Sequence, residues 1–262
     1  MAQKMRSRKD RQIKELTEVL ETNGKAITEG PRKKNFTNHD LRHIRPLNAA
    51  QESMFESYFQ GNNIIAHGSA GTGKSYCALF LALNDLLNKK AGASKIMIVR
   101  SAVQGRDIGA LPGTIFEKLQ PYETPYQDIV ASLMGKFDAY DNMKSLGLIE
   151  FIPTSFVRGL TWDNTIVIID EIQNMNFHEL NSIVTRIGEN SRVIACGDII
   201  QNDLFNKKNE VTGMPKFLEV ARRSGVFDDI LFTRNDIVRS DFVKKWICAL
   251  EDTDKVVSVR AA

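Results

Sequence analysis

The sequence predicts an α/β fold in which a mostly parallel β-sheet is covered by helices on both faces. Six short apolar segments are spaced along the chain, and helical patterns separate most of them. Continuous apolar runs, rather than alternating ones, are typical of parallel strands that are buried on both faces. Strands that alternate with helices favour an open sheet of this kind. The six predicted strands are Asn63–His67, Lys95–Val99, Leu148–Ile152, Thr165–Ile169, Arg192–Cys196 and Asp229–Phe232.

Charge divides the chain into a basic arm and a domain. Residues 1–45 carry 12 lysines and arginines against 6 acidic residues, so we expect an arm that is partly helical or mobile. Such an arm either attracts phosphate backbones or is a solvated tail. Residues 46–262 are predicted to form the domain, with a helical insertion around 107–147. The insertion is expected to pack on the core through residues at helical spacing: Ile129, Leu133, Met134 and Phe137.

Composition excludes several classes of protein. The chain has 262 residues, 42% of them hydrophobic, which is enough to bury a core. It contains no apolar run of about 18 residues, so no transmembrane helix is expected. The three cysteines are widely spaced and form no CxxC pair. This usage predicts reduced cysteines in a cytoplasmic protein and argues against a zinc site.

Residues 68–75 form a glycine-rich segment between a predicted strand and a predicted helix. They match the phosphate-loop pattern G-x-x-x-x-G-K-[ST] in the context that this loop requires, whereas a plain strand–helix turn is the alternative. Glycines let the backbone N–H groups turn towards phosphates at the positive end of the helix. We expect Lys74 to reach the β- and γ-phosphates and Ser75 to coordinate Mg²⁺. The predicted nucleotide contacts are Gly68, Ser69, Ala70, Gly71, Thr72, Gly73, Lys74 and Ser75.

Two adjacent acids, Asp170 and Glu171, directly follow the buried segment 165–169. At the carboxyl edge of a parallel sheet, Asp170 would face the Mg²⁺ held by Ser75. Glu171 is placed to orient and deprotonate an attacking water. Such a pair is common in unrelated α/β proteins, but about 95 residues after a phosphate loop it indicates a hydrolytic site.

A glutamine, Gln201, follows the strand end formed by Gly197 and Asp198. Its amide can donate and accept, so we expect it to sense the γ-phosphate and hold the attacking water. A polar loop with an Asx turn at Asp198 is the alternative. Together the three motifs predict a single RecA-like P-loop NTPase core that binds ATP and Mg²⁺.

Four further stretches resemble the PhoH family, the phosphate-starvation-inducible ATPases, including the short forms carried by phages. The resemblance extends from about Leu47 to Leu250. This chain departs from the family pattern at Ser101, where a proline is expected, and at Leu160, where an arginine is expected. The stretches are Val99–Val103 with Leu111–Gly113, Arg158–Thr161, Asp170–Asn174, and Thr185–Ser191 with Gly197–Gln201.

The resemblance implies kinship with the core of superfamily 1 helicases and assigns roles to two more residues. Gln51 would contact the adenine; an ordinary glutamine at a helix N-terminus is the alternative. Arg239 would be an arginine finger or sensor that neutralises charge developing on the γ-phosphate. An ion pair with Asp236, one helical turn away, is the alternative for Arg239.

The resemblance also implies ATP hydrolysis coupled to binding or remodelling of single-stranded RNA or DNA. A regulatory ATP switch that acts on a protein partner is the alternative, and a small-molecule kinase is disfavoured by the helicase-type acidic pair. Because the chain has length for one core, we expect a homo-oligomeric ring, a hexamer, in which Arg158 or Arg239 acts across the interface. Candidate nucleic-acid contacts are Arg100, Arg106, Lys118, Lys136 and the basic arm.

Overall fold

Six parallel strands form the sheet at the centre of the described chain, and all six predicted strands are present. Their lateral order is β3-β2-β4-β5-β1-β6, and every neighbouring pair is parallel. The predicted α/β class with a parallel sheet is therefore confirmed. The strands are β1 (Asn63–Gly68), β2 (Lys95–Arg100), β3 (Ile149–Pro153), β4 (Thr165–Asp170), β5 (Arg192–Asp198) and β6 (Phe227–Phe232).

The structure, a computed structural model, describes residues 36–88, 92–101, 115–157, 159–198 and 212–260, with the backbone only for residues 115–118 and 254–260. From Thr37 onward these residues belong to one compact unit. The predicted arm up to residue 35, Arg106, Arg158, Gln201 and the side chain of Lys118 lie outside this description.

Seven α-helices accompany the strands in the described part of the chain. No described helix has both the length and the apolar character needed to cross a membrane. The helices are α1 (Ala49–Phe59), α2 (Lys74–Leu87), α3 (Ile115–Met134), α4 (Ala139–Ser145), α5 (Phe177–Val184), α6 (Met214–Ser224) and α7 (Asp241–Arg260).

Helices cover both faces of the sheet, because successive side chains of each strand point to opposite sides. The row of buried side chains that passes through Ile65 and Ile169 packs against α5 and α6. The row one residue earlier, through Ile64 and Ile168, lies on the opposite face, where α2 contacts the central strands. The central strand β4 is buried along its whole length, which explains why its sequence is apolar without alternation.

The edge strand β6 differs from the central strands. Ile230 and Phe232 are buried, whereas Asp229 and Leu231 on the other face are exposed, Leu231 by 55%. The prediction that all six strands are buried on both faces is therefore wrong for β6. The reason is its position, since a strand at the rim of the sheet is covered less completely than a central one.

Within the predicted insertion, the described residues form α3 and α4. Leu133 and Met134 are buried as expected, and Ile129 is partly buried. The prediction is wrong for Phe137, which is 94% exposed. Helix α3 ends at Met134, and Gly135 then turns the chain with a φ of 64°, so Phe137 no longer lies on the helical face.

Residues 37–45, which the charge pattern assigns to the arm, contact the insertion. The backbone N–H of Arg42 donates to the carbonyl oxygen of Leu133 at 2.8 Å. Lys136 forms an ion pair with Asp40. Leu41, next to Arg42, is buried.

Candidate nucleotide-binding site

All carboxyl ends of the parallel strands lie at one edge of the sheet, the edge where α/β proteins bind their ligands. The phosphate loop follows β1, the acidic pair lies at the end of β4, and Gly197 and Asp198 end β5. Strand β5 lies between β1 and β4, so these three segments are neighbours although they are far apart in sequence. The fold thus brings together the described parts of all three predicted motifs.

The shape of the phosphate loop depends on its glycines. Gly71 and Gly73 have φ values of 70° and 84°, in the left-handed region that residues with a Cβ rarely adopt. Gly68 is required for an additional reason, because a Cβ there would lie 1.9 Å from the carbonyl oxygen of Phe232 in β6. The pattern therefore serves the packing of the sheet as well as the curve of the loop.

Lys74, the first residue of α2, folds back into the curve of the loop. Its Nζ donates to the carbonyl oxygen of Ser69 at 2.6 Å and to the hydroxyl of Thr72 at 3.3 Å. Burial lowers the pKa of Lys74, while the nearby carboxylates, Asp198 first among them, act in the opposite direction. A cation is thus held where the phosphates of a nucleotide would lie.

Ser75 and Asp170 connect the loop helix to the acidic strand. The Ser75 hydroxyl donates to Asp170 Oδ1 at 2.8 Å, and the hydroxyl of Tyr126 donates to Oδ2 at 2.9 Å. A hydroxyl beside one carboxylate is a donor set that fits Mg²⁺, which binds through hard oxygen ligands and usually keeps several waters and substrate phosphates. The residues at this position therefore fit the predicted metal.

Glu171 occupies an unusual backbone conformation directly after Asp170. Its φ of 58° and ψ of 44° lie in the left-handed region, where non-glycine residues are strained. Burial raises the pKa of the Glu171 carboxyl, and the neighbouring charge of Asp170 raises it further. A carboxylate with a raised pKa is a better proton acceptor, so the environment suits a general base.

Gln173 is a site residue whose individual role was not identified from the sequence. It is only 1% exposed. Its side-chain amide donates to the carboxylate of Glu171 and accepts from the backbone N–H of Asp198 at 2.9 Å. Gln173 thus links the end of β4 to the end of β5. The available sequence signal was a glutamine two residues after Glu171, but its hydrogen-bond partners are apparent only in the folded chain.

A cavity of about 450 Å³ lies beside the phosphate loop. Gln51 is part of its wall, and its amide donates to the carbonyl oxygen of Thr72 at 2.9 Å and accepts from the backbone N–H of Leu47 at 2.9 Å. The structure thus places Gln51 next to the phosphate loop, and its contact with an adenine stays a prediction. The lining residues are Ile44, Arg45, Leu47, Gln51, Gly73, Tyr76, Cys77, Val238 and Arg239.

Arg239 lies against the phosphate loop of its own chain. The backbone N–H of Val238 donates to the carbonyl oxygen of Gly71 at 3.0 Å. A Cβ added to Gly71 would lie 2.9 Å from Cγ of Arg239. Asp236, the alternative partner of Arg239, instead accepts from the backbone N–H and the hydroxyl of Thr233, both at 2.8 Å.

Arg100, a candidate nucleic-acid contact, is directed towards the acidic pair. Burial by itself would lower the pKa of its guanidinium, but Tyr126, Glu171 and Asp170 act against this and raise the pKa overall. The guanidinium also lies 5.8 Å from the ring centroid of Tyr122. Its described contacts thus lie within the site, and its role as a nucleic-acid contact stays a prediction.

Comparisons with known proteins agree with the motifs. The family model for "PhoH-like protein" matches residues 43–251. Protein PhoH of Escherichia coli K12 is 30% identical over 93% of this chain and 67% of its own length, and the PhoH-like protein of Bacillus subtilis is 32% identical over 79% and 64%. The chain thus spans about two thirds of the length of these relatives.

Among solved structures, the chain is similar to the Pif1 helicase from Candida albicans and to the Sulfolobus solfataricus SWI2/SNF2 ATPase core in complex with dsDNA. The TM-scores are 0.38 and 0.39, and the identities are 20% and 12%. The matches cover 72% and 78% of this chain and 40% and 47% of the other chains. The parallel α/β sheet with a phosphate loop after β1 agrees with the predicted P-loop NTPase core, and the chain belongs to the PhoH-like protein family.

Proposed function

We propose that this chain is a Mg²⁺-dependent ATPase whose turnover is coupled to binding or remodelling of single-stranded RNA or DNA. The observation that carries the proposal is the hydrogen bond of 2.8 Å between Ser75 and Asp170. It joins a phosphate loop to a strand that ends in two acids, which is the arrangement of a nucleotide-hydrolysing site.

Binding of ATP would use the loop and the adjacent cavity. The N–H groups of Gly71–Gly73 and the ammonium of Lys74 would contact the phosphates, and Gln51 in the cavity wall would contact the adenine. Ser75 and Asp170 would hold Mg²⁺, which neutralises charge on the β- and γ-phosphate oxygens when it is bound. Arg239, which lies over Gly71 of the same chain, would act on its own nucleotide rather than on that of a neighbour.

Hydrolysis would use Glu171 as the general base. The oxygen of a water molecule attacks the γ-phosphorus, the bond to the β,γ-bridging oxygen breaks, and the water proton passes to the Glu171 carboxylate. ADP and inorganic phosphate are the products. Gln173 holds the base in position through its side-chain amide, and Gln201 remains the predicted sensor of the γ-phosphate.

Coupling to nucleic acid is supported by the resemblance of the acidic pair and the Gly197-Asp198 strand end to superfamily 1 helicases. A ring of identical subunits, a hexamer, would supply the second surface that such motors need. Its support is a stripe of exposed apolar side chains on α7, with Phe242 77% and Trp246 67% exposed one helical turn apart. Ile247 of the same helix lies against the phosphate loop, so the stripe is close to the site.

The test is ATP turnover by the full chain with Mg²⁺, with and without single-stranded RNA or DNA. We expect turnover that Lys74→Ala lowers by at least about 10²-fold, because a preorganised cation that stabilises the transferred phosphoryl group is removed. Lys95→Ala, which removes a half-exposed lysine paired with Glu150 at the opposite edge, is the matched control and should keep the rate.

Three outcomes discriminate between the functions. Many-fold stimulation by nucleic acid supports the coupled ATPase, and turnover that ignores nucleic acid favours a switch that acts on a protein partner. Equal turnover of the wild type and Lys74→Ala would contradict the ATPase itself. Native mass measured on the same sample tests the ring, since monomers with full activity at any dilution would disprove it.

A further inference from the structure

Tyr126 of the insertion helix α3 lies at the metal-binding end of the site. It is only 1% exposed, and its hydroxyl donates to Oδ2 of Asp170 at 2.9 Å, across 44 residues of sequence. The other carboxylate oxygen, Oδ1, accepts from Ser75. The insertion thus contributes a side chain to the carboxylate that the sequence assigns to Mg²⁺.

We propose that Tyr126 is a positioning residue that fixes the orientation of the Asp170 carboxylate for Mg²⁺; this inference rests on the proposed function. A carboxylate can rotate about its terminal bond, and one hydrogen bond to Oδ1 leaves that rotation poorly restrained. Donors on both oxygens define the plane of the group. Each oxygen keeps a further lone pair for the ion or for a water bound to it.

The guanidinium of Arg100 at the end of β2 lies near the Tyr126 phenol and interacts with it electrostatically. Arg100 also donates to the carbonyl oxygen of Tyr122, one turn earlier on α3, at 3.5 Å. Helix α3 is thus bonded to β2 through Tyr122, and Tyr126 of the same helix is bonded to Asp170, which also accepts from Ser75 of the phosphate loop. Partners of this kind behind a metal ligand usually change metal affinity or activity by about 10- to 100-fold when removed.

A purely structural role would be packing, since the Tyr126 ring lies 5.9 Å from that of Phe151. Tyr140 on α4 provides the comparison that separates the two roles. It is also completely buried, and its hydroxyl donates to Glu123 at 2.7 Å, within the insertion. Tyr126→Phe and Tyr140→Phe therefore each remove one buried hydroxyl bond to a carboxylate, but only the first bond reaches the site.

The experiment measures binding of a non-hydrolysable ATP analogue to the full chain by calorimetry, first in EDTA and then over a series of Mg²⁺ concentrations. For Tyr126→Phe we expect unchanged affinity in EDTA and an increase of about 10-fold in the Mg²⁺ concentration required for half of the metal-dependent gain. Tyr140→Phe should match the wild type in both measurements. In turnover assays the same shift should appear in the Mg²⁺ dependence rather than in the KM for ATP at saturating Mg²⁺.

A double-mutant cycle with Asp170→Asn gives an independent measurement. If Tyr126 acts through Asp170, its substitution adds nothing once the carboxylate is gone, so the two effects are strongly non-additive. Tyr126→Phe with the Mg²⁺ dependence of the wild type, equal shifts in both tyrosine variants, or full additivity would each overturn the inference. A wild type that fails to bind the analogue at any Mg²⁺ concentration would instead overturn the proposed function as well.

Discussion

The amino edge of the sheet, where the parallel strands begin, and the carboxyl edge, where they end, contain similar charged residues but arrange them in opposite ways. At the amino edge, Arg192 at the start of β5 pairs with Asp85 at 3.0 Å, donates to two backbone carbonyl oxygens and lies 3.6 Å from the ring centroid of Tyr58. At the carboxyl edge, Lys74 and the pair of Asp170 and Glu171 are also largely buried. Their hydrogen bonds go mainly to uncharged partners, which are carbonyls, hydroxyls and amides.

This difference shows which edge is built for stability and which for a ligand. In a buried ion pair the two charges offset each other and are not available for chemistry, and removing one partner is costly. At the carboxyl edge the two adjacent carboxylates and Lys74 form their hydrogen bonds with neutral groups, so in the proposed function their charges are available to phosphates, a metal and a proton. The result is visible in Glu171, whose pKa is raised by burial and by its neighbour.

The largest expected effect of a carboxyl-edge change is on catalysis. Glu171→Gln removes the base but keeps the size of the side chain, so we expect turnover to fall about 10²- to 10⁴-fold while ATP binding is retained. Since the raised pKa means that the ionised carboxylate destabilises the folded state, the neutral variant should also unfold at a higher urea concentration at pH 7. Single-turnover kinetics measures the loss of turnover, and urea unfolding measures the gain in stability.

Two results for Glu171→Gln would contradict these expectations. Normal turnover by Glu171→Gln would show that another group accepts the proton. A clear loss of stability would show that Glu171 is held as a structural residue, and the contrast between the two edges would be lost.

A substitution at the amino edge should instead lower the stability of the fold and leave turnover nearly unchanged. Arg192→Met leaves Asp85 buried without its partner, so we expect a loss of about 3–5 kcal/mol in the free energy of unfolding. Turnover per folded molecule should stay within about two-fold, because the substitution is remote from the site. Lys95→Met, which breaks a half-exposed pair at the same edge, is the control and should cost about 0–1 kcal/mol. Equal losses in both variants would contradict the assigned role of burial.

The smallest effect is expected from His67, which precedes the phosphate loop on β1. Its Nε2 lies 2.5 Å from Asp229 Oδ1, but burial dominates and lowers the pKa of the imidazole from 6.5. The unfolded chain therefore takes up the proton first as the pH falls, so stability decreases below about pH 6.5.

His67→Gln should flatten this dependence by about 1 kcal/mol or less between pH 7 and pH 5.5. Urea unfolding at a series of pH values measures it, and His43→Gln at an exposed position serves as the control. A slope that is unchanged in His67→Gln would mean that acidic groups account for the whole pH dependence.

Much of the fold could be predicted because each strand corresponds to a short, continuous run of apolar residues. Each of the six apolar runs coincides with a strand to within two residues. The errors concern position rather than element type. Leu231 is exposed because β6 is an edge strand, and Phe137 is exposed because α3 ends at Met134 and the chain turns at Gly135. Neither fact is contained in the spacing of apolar residues.

The candidate site likewise contains some residues that the sequence predicted and others that only the structure identifies. The phosphate loop and the acidic pair are predictable because each is a short run whose backbone needs glycines or a strand end in a fixed place. Gln173, Tyr126 and the inward orientation of Arg100 were not predicted, because their hydrogen-bond partners come from other elements. Even Arg239, which was identified, could be placed over the loop of its own chain only from the contact with Gly71.

The sequence by itself determined the parallel α/β core and the positions of the phosphate loop and the acidic pair, and it predicted their roles with phosphates, Mg²⁺ and a general base. These depend on local burial and on backbone conformations that few residue types allow. The tertiary structure decided the order of the strands, which residues support Asp170 and Glu171, and which charged groups pair. The physical reason is that hydrogen bonds and ion pairs between distant segments exist only after packing of the helices on the sheet has brought those segments together.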